Sequence, residues 1–187
     1  MTRHESLFAQ LKAHAPFDRV EAGHRAAMVN LLTNAADPFS RGHFAPGHFT
    51  ASLYIVDDGG RLLLHHHRRL NRWLQMGGHV EAGELPALAA LREGREESGL
   101  ADLELVGDLF DLDIHPIPAG KGEPDHHHFD VRYLARTRTP EAIVLDEAES
   151  KELAWLPLDR AEELMHAPES SRVIRKIERM LTRRSWS

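Results

Sequence analysis

The sequence GHVEAGELPALAALREGREESGL at residues 78–100 decides the fold of this chain. It holds three closely spaced glutamates, Glu93, Glu96 and Glu97, and spacings of three and four residues place side chains on one side of a helix. Like charges at this distance repel one another, so their clustering favours a bound cation. Carboxylate oxygens are the ligands that Mg²⁺ and Mn²⁺ prefer. The stretch therefore predicts a loop and helix that hold a divalent metal ion.

This stretch resembles the Nudix box, the signature of the Nudix hydrolases. The signature consists of a glycine, a glutamate, an Arg-Glu pair, a Glu-Glu pair and a final glycine followed by an aliphatic residue, all at fixed spacings. In this chain those positions are held by Gly78, Glu84, Arg92, Glu93, Glu96, Glu97, Gly99 and Leu100. One position differs, because Gly94 stands where a large aliphatic residue is expected. Glycine inside a helix costs about 1 kcal/mol relative to alanine, so we expect a neighbouring strand or bulky side chain to approach closely there.

The resemblance assigns roles to the charged residues of the box. It implies that Glu93 and Glu97 are catalytic residues and the principal metal ligands. Glu96 is then a third ligand, and the carbonyl of Gly77 supplies a backbone ligand. Arg92 is a catalytic residue that orients the glutamates by charge-assisted hydrogen bonds. The competing interpretation of Arg92 and Glu96, an exposed ion pair worth about 0.3–0.5 kcal/mol, is disfavoured by the match to the box.

The resemblance also implies a reaction. Nudix hydrolases cleave a diphosphate linked to another moiety by attack of water on phosphorus, helped by metal. We therefore expect an Mg²⁺-dependent (or Mn²⁺-dependent) Nudix diphosphatase, a hydrolase acting on phosphorus-containing acid anhydrides. Its partner would be a small-molecule phosphoanhydride substrate, either a nucleoside diphosphate derivative or a nucleoside triphosphate.

Three other functions of the same fold are alternatives. A non-catalytic Nudix domain that senses a nucleotide is disfavoured because the box glutamates are retained. The isomerase branch, which acts on isopentenyl diphosphate, uses a cysteine in its chemistry, and this chain has none. RNA decapping is disfavoured by the lack of a strongly basic surface. The loops outside the box, at residues 37–47, 116–125 and 136–150, are expected to set specificity.

Residues outside the acidic cluster are candidates for substrate contact and proton transfer. Arg68 and Arg69 form a small basic patch before the box, and we predict that they bind substrate together with His79 and His128. The general base is open between a box glutamate and an acidic residue from a distant loop. Glu149 is the hypothesis for the distant residue, although an acidic loop is also typical of plain solvent-facing surface.

Histidines are concentrated in the middle of the chain, with eight of the 14 between residues 65 and 128. Alternation along a strand places His126, His128, Asp130 and Arg132 on one side, where they could line a substrate cleft. A transition-metal site is a sharper interpretation, because histidines two residues apart can chelate. No cysteine completes such a site, so we favour polar residues on a partly wet face. Trp73 is expected to pack against the sheet rather than stack on a base.

Composition bounds the class of protein. The chain has 187 residues, a net charge of −6 and no cysteine. This length suits one domain, and the absence of cysteine excludes disulfides and thiolate zinc sites. The negative charge makes a nucleic-acid partner unfavourable. No apolar run approaches the ~20 residues of a membrane span, and the first residues lack the apolar core of a signal peptide, so we expect a cytoplasmic protein.

Strands mixed with helices predict an α/β fold. The resemblance implies the Nudix fold, a mixed β-sheet sandwiched between helices (α/β/α), with an added N-terminal helical segment. We expect one Nudix domain over residues 1–187, with a helical extension at 1–47, a core at 48–166 and a C-terminal helix at 167–187. The extension has three alternative roles: to cover the substrate site, to support a homodimer, or simply to enlarge the hydrophobic core. We take the enlarged core as the default.

Local signals predict the bounds of several elements. The box helix is expected over Pro86–Ser98, with Gly99 as a left-handed C-terminal stop. Residues 68–76 are expected to form a loop, and Asp159 with Glu162 to begin a short helix as a capping box. Strands are expected at residues 50–56, 61–67, 102–106, 108–115, 126–135 and 152–156.

Overall fold

A computed structural model describes residues 1–120 and 122–182 of the chain. Its helices and strands, in chain order, are α1 Arg3–Ala13, α2 Arg19–Asn34, β1 Gly47–Asp57, β2 Leu62–His67, β3 Arg72–Leu74, β4 Met76–His79, α3 Pro86–Ser98, β5 Glu104–Leu105, β6 Asp111–Ile117, β7 His126–Thr137, β8 Ser150–Leu156, α4 Leu158–Met165 and α5 Ser170–Thr182. None of the helices in this part of the chain is both long and apolar enough to cross a membrane.

The strands form one mixed sheet with β1 at its centre. Strand β1 runs parallel to β7 along its whole length, from Gly47 opposite His127 to Asp57 opposite Thr137. Its other edge is shared by β4 and β2, which both pair with it in antiparallel fashion. Strands β6 and β5 extend the sheet from β7, and β3 and β8 extend it from β2. The parallel pairing matters for the site, because it joins segments about 80 residues apart in the sequence.

Two hydrophobic layers cover the two faces of the sheet. Phe49, Ala51, Leu53 and Ile55 of β1 point into a layer shared with α1, α2 and α3. The alternate residue Tyr54 points into the layer shared with α4 and α5. This alternation confirms the predicted mixed sheet between helices, and the N-terminal helices belong to the larger layer.

A network of buried ion pairs lies between β6, β7 and α5. Its cations are Arg132, Arg172 and Lys176, and its buried anions are Asp111, Asp113, Asp130 and Glu21. The expectation that Asp130 and Arg132 line a substrate cleft is wrong. They lie on the predicted common side of β7, but they are only 1% and 2% exposed, and Arg132 is paired with Asp111, Asp113 and Asp130.

The structure corrects two local predictions and adds one strand. Residues 68–76 do not form a simple loop, because they contain β3. The added strand is β4, which passes through Gly77 and Gly78. Helix α4 begins at Leu158 with no side-chain cap, so Asp159 lies inside its first turn and forms no capping box.

Candidate active site

Helix α3 carries the acidic cluster and lies directly on the central strand. Its bounds, Pro86–Ser98, are those predicted, and Gly99 ends it with φ of 76°. A Cβ on Gly94 would collide with the Leu53 side chain of β1 and lie 3.2 Å from Leu103 Cδ1. This confirms the expected close approach at Gly94. The small residue lets α3 approach the sheet closely enough for its glutamates to reach β4.

Glu97 is the most buried carboxylate of the box, with 5% of its surface exposed. The backbone N–H of Gly77 in β4 donates a hydrogen bond to Glu97 Oε2 at 2.9 Å. Burial raises the pKa of Glu97 to about 9, the Gly77 hydrogen bond opposes the rise, and the Glu149 and Glu93 carboxylates add to it. The fold thus holds an acidic group where its anion is poorly stabilised by the protein alone.

Glu93 lies one helical turn before Glu97 and packs against the backbone of Gly78. A Cβ on Gly78 would lie 2.7 Å from Glu93 Cδ, so a side chain at this point of β4 would push the carboxylate out of its place. Burial also raises the pKa of Glu93, although its ion pair with Arg92 opposes the rise. The two glycines of β4 therefore have distinct uses, since Gly77 binds Glu97 and Gly78 makes space for Glu93.

Arg92 joins the box into one unit. Its guanidinium pairs with both oxygens of Glu84 at 3.1 and 3.2 Å, and with Glu93 Oε1 at 2.8 Å. It also donates to Glu96 Oε2 at 3.1 Å and to the carbonyl of His79 at 3.0 Å. Bidentate and charge-assisted bonds of this kind fix geometry as well as charge. The contacts suit Arg92 to the orienting role, and they give Glu84 the role of holding Arg92.

Glu149 reaches the box from the loop before β8. Its carboxyl lies near enough to Glu97 and Glu93 to help raise the pKa of both. The loop is fixed from the other side, because the backbone N–H of Arg68 donates to the Glu149 carbonyl at 2.7 Å and the Arg68 guanidinium donates to the Ser150 carbonyl at 3.3 Å. The structure thus brings together a distant acidic residue and the two buried box glutamates.

The residues present fit a hard divalent cation. Glu93 and Glu97 offer oxygen ligands at one place with the Glu149 carboxylate beside them, and burial raises the pKa of both box glutamates. In residues 1–120 and 122–182, no cationic side chain pairs with Glu97, and Arg92 serves the neighbouring carboxylates. A cation with oxygen preference would supply the missing charge, and Mg²⁺ and Mn²⁺ have that preference.

The other residues predicted from the sequence lie outside the group formed by Glu93, Glu97 and Glu149. The side chain of Glu96 is 60% exposed, and in residues 1–120 and 122–182 its ion-pair partner is Arg92 alone. The side chains of Arg68 and Arg69 are exposed beside the Glu149 loop. Trp73 stacks on His66 at 5.2 Å and packs on the smaller hydrophobic layer, as predicted.

The rings of His79 and His128 lie in a separate cluster of imidazoles, 5.4 Å apart, rather than among the carboxylates. His48, which the sequence did not single out, contacts both rings. No local spacing signals it, because the parallel register of β1 and β7 alone places His48 opposite His128.

Comparison with known proteins places the whole arrangement in context. A family model described as the NUDIX domain matches residues 46–177. A "Probable DHNTP pyrophosphohydrolase" of Lactococcus lactis subsp. cremoris (strain MG1363) is 31% identical over 169 residues, which are 88% of this chain and 92% of that protein. The solved structure of a NUDIX-family hydrolase from Clostridium perfringens is 29% identical with a TM-score of 0.55, over 71% of this chain and 97% of that one. The E. coli dihydroneopterin triphosphate pyrophosphohydrolase shares the fold, with 21% identity, a TM-score of 0.53, and 72% of this chain and 95% of that one covered.

Proposed function

Because the chain belongs to the Nudix hydrolase family, we propose that its acidic cluster is the active site of a metal-dependent diphosphatase. The family makes the chain a hydrolase acting on phosphorus-containing acid anhydrides. The observation that carries the proposal is that buried Glu97 and half-buried Glu93 meet the exposed Glu149 at a place where the pKa of both box glutamates is raised. Carboxylates gathered in this way are typical of functional sites.

Glu93 and Glu97 are the principal ligands of Mg²⁺ or Mn²⁺ in this proposal, with the Gly77 carbonyl and Glu96 completing the set. When bound, the metal neutralises phosphate charge and lowers the pKa of water. Arg92 holds Glu93 through its 2.8 Å bond and stays in place through Glu84. The Gly77 N–H fixes Glu97. Two different elements, β4 and the start of the box, thus preorganise the two ligands.

Glu149 is the proposed general base. Its carboxylate oxygen accepts a proton from the attacking water, a bond forms between that water oxygen and phosphorus, and the bond from phosphorus to the bridging oxygen breaks. The leaving phosphate takes the electron pair of that bond. The nearness of Glu149 to Glu97, whose pKa it helps to raise, supports this role, because a base must lie within hydrogen-bond reach of the water beside the ligands.

The substrate class is a nucleoside triphosphate or a nucleoside diphosphate derivative. Arg68 and Arg69 are proposed to bind its phosphates, because they are exposed and follow the strand beside the Glu149 loop. DHNTP, dihydroneopterin triphosphate, is the first compound to test, since the Lactococcus relative is named for it and shares 31% identity over most of both chains.

The proposal is tested by a screen of phosphate or diphosphate release with Mg²⁺ and Mn²⁺. The compounds are DHNTP, nucleoside triphosphates, ADP-ribose, dinucleoside polyphosphates, sugar nucleotides and coenzyme A. Glu97→Gln is the test variant. Glu178→Gln makes the same change at an exposed position of α5, so it is the matched control and should retain the wild-type rate. Metal-independent turnover, or equal turnover by wild type and Glu97→Gln, would contradict the proposal.

A second variant tests the base separately. Glu149→Gln is expected to lower turnover by about 10²–10⁴-fold while leaving Mg²⁺ or Mn²⁺ binding unchanged, because the range is typical of general-base catalysis. A near-normal rate would remove Glu149 from the mechanism and leave a box glutamate as the base.

A further inference from the structure

Five imidazoles from four strands converge at the end of the sheet where β1 and β7 begin. His48 lies opposite His128 in the parallel register, and His115 of β6 lies opposite His128 on the other edge of β7. His126 and His79 complete the group, and neighbouring ring centroids are 5.0–5.5 Å apart. The packing gathers nitrogen donors at one place, whereas the acidic cluster gathers oxygen donors.

Three of these rings present their nitrogens to one another. Ligand nitrogens of His48, His126 and His128 all lie within 4.8 Å of each other. His48 is fully buried and His126 is 4% exposed. A bound zinc ion would draw the three nitrogens closer together, to about 2.0–2.1 Å from the metal.

Hydrogen bonds on the far side of two rings fix which nitrogen is available. His48 Nδ1 lies 3.3 Å from the carbonyl of His43, and His126 Nδ1 lies 2.8 Å from the carbonyl of Pro124. A carbonyl oxygen only accepts, so in both rings Nδ1 carries the hydrogen and Nε2 carries the lone pair. Metal-binding histidines typically have this second bond to a carbonyl, which sets the tautomer and the ring orientation.

One atom of the cluster has no partner within the protein. His48 Nε2 is buried and makes no hydrogen bond in the part of the chain that the structure describes. A buried acceptor without a partner destabilises a fold, so an unfilled lone pair needs an explanation.

We propose that His48, His126 and His128 form a second metal site that binds a transition-metal ion of the Zn²⁺ class. Imidazole nitrogen suits Zn²⁺, Cu²⁺ and Ni²⁺, and does not suit Mg²⁺. Three histidines with an open fourth position need no cysteine. The ion joins the start of β1 to the start of β7, next to His79, whose carbonyl binds Arg92 of the box. It therefore fastens the sheet beside the active site without using a box carboxylate.

The site is tested with Zn²⁺ and Co²⁺ alone on protein that carries no polyhistidine tag. Wild-type protein is expected to bind about one tight equivalent of Zn²⁺ per chain, and Co²⁺ is expected to give the visible absorption of a low-coordinate imidazole site. His48→Gln and His126→Gln are each expected to weaken Zn²⁺ binding by about 100-fold or more, because loss of a direct ligand exceeds the 10–100-fold cost of losing an outer partner.

Two matched variants keep the test specific. His127→Gln changes the exposed neighbour on the other side of β7 and should bind Zn²⁺ as the wild type does. Glu97→Gln should also retain Zn²⁺, which separates this site from the box and from the proposed hydrolase activity. Circular dichroism in EDTA checks that each variant folds, and if His48→Gln fails to fold, His126→Gln decides the result.

Three outcomes would overturn the proposal. The first is wild-type protein that binds no Zn²⁺ at about 100 µM. The second is an equal loss of Zn²⁺ in His127→Gln, which would indicate surface binding. The third is loss of the tight equivalent in Glu97→Gln, which would place the zinc in the carboxylate cluster.

Discussion

Two clusters of buried carboxylates in this molecule have opposite electrostatic surroundings. In the ion-pair network of β6, β7 and α5, burial opposes ionisation of Glu21, but hydrogen bonds from His14 and Lys176 lower its pKa to about 2. In the box, burial raises the pKa of Glu97 to about 9, and the hydrogen bond from the Gly77 N–H opposes this rise. The protein supplies cations to the first cluster, whereas in the box Arg92 pairs with Glu84, Glu93 and Glu96 and leaves Glu97 without a cation in the part of the chain that the structure describes. This contrast separates carboxylates that stabilise the fold from carboxylates that serve a site.

Glu97→Gln is the change expected to have the largest effect. It should lower kcat by about 10²–10⁴-fold, the range for a group that acts at the reacting atoms. The metal-free protein should not lose stability, because a carboxyl with a pKa of about 9 is already uncharged near neutral pH and glutamine keeps its shape. Steady-state kinetics and thermal unfolding in EDTA measure the two effects on one preparation.

Magnesium sharpens this prediction. Mg²⁺ should raise the Tm of the wild type, since a ligand that binds only the folded state stabilises it. It should not raise the Tm of Glu97→Gln to the same extent. A variant that is both inactive and strongly destabilised in EDTA would show that Glu97 belongs to the first kind of cluster, and the contrast would fail.

Asp111→Asn is the converse experiment in the ion-pair network. Asp111 accepts bonds from Arg172 at 2.9 Å and from Lys176 at 2.7 Å, and all three side chains are buried. Removal of one partner leaves buried cations without compensation, which typically costs about 3–5 kcal/mol. Urea unfolding should show that loss of stability. Mg²⁺ should still raise the Tm of the folded variant by as much as it raises that of the wild type. A loss below about 1 kcal/mol would mean that the network is not held by paired charges.

The ion-pair network should also differ from the box in how its stability changes with pH, because the pKa of Glu21 is lowered whereas that of Glu97 is raised. The pKa of Glu21 is about 2 in the folded protein and near 4.5 when unperturbed. A group whose pKa is lowered by folding contributes stability above its unfolded pKa and loses it as the pH falls. The advantage of wild type over Glu21→Gln in urea unfolding should therefore be full above about pH 5 and shrink between about pH 4.5 and 2. An advantage that stays constant through that window would contradict the lowered pKa.

The same contrast explains what could be predicted from the sequence. Helix α3 was predicted to its end residues because Pro86, Gly99 and the spacing of the glutamates are local signals. The ion-pair network was not, since Asp111 meets Lys176 only through packing of β6 on α5. Strand β4 was missed because two glycines disfavour a strand, and their use became visible only with the carboxylates that they contact.

His48 shows the limit most clearly. It is 78 residues from His126 in the sequence, and only the parallel pairing of β1 with β7 brings the two rings together. Sequence patterns of period two and period 3.6 describe one element at a time, so a cluster shared between distant strands gives no such signal. The box could be assigned from one helix, whereas the histidine cluster required the register of the sheet.

Glu96→Gln gives the smallest expected effect on stability and tests the boundary between the two kinds of carboxylate. The side chain of Glu96 is 60% exposed and pairs with Arg92 four residues earlier, so its removal should cost at most about 0.5 kcal/mol in urea unfolding. Its effect on activity is the informative quantity. If Glu96 is a third metal ligand, Glu96→Gln should raise the Mg²⁺ concentration needed for the half-maximal rate by about 10-fold. Loss of even a residue that only supports a ligand typically costs 10–100-fold in metal affinity. An unchanged magnesium requirement would leave Glu96 as an exposed partner of Arg92 and confine the ligands to the buried glutamates. Glu178→Gln again provides the control, because it removes an exposed carboxylate from α5, a helix that carries none of the proposed metal ligands.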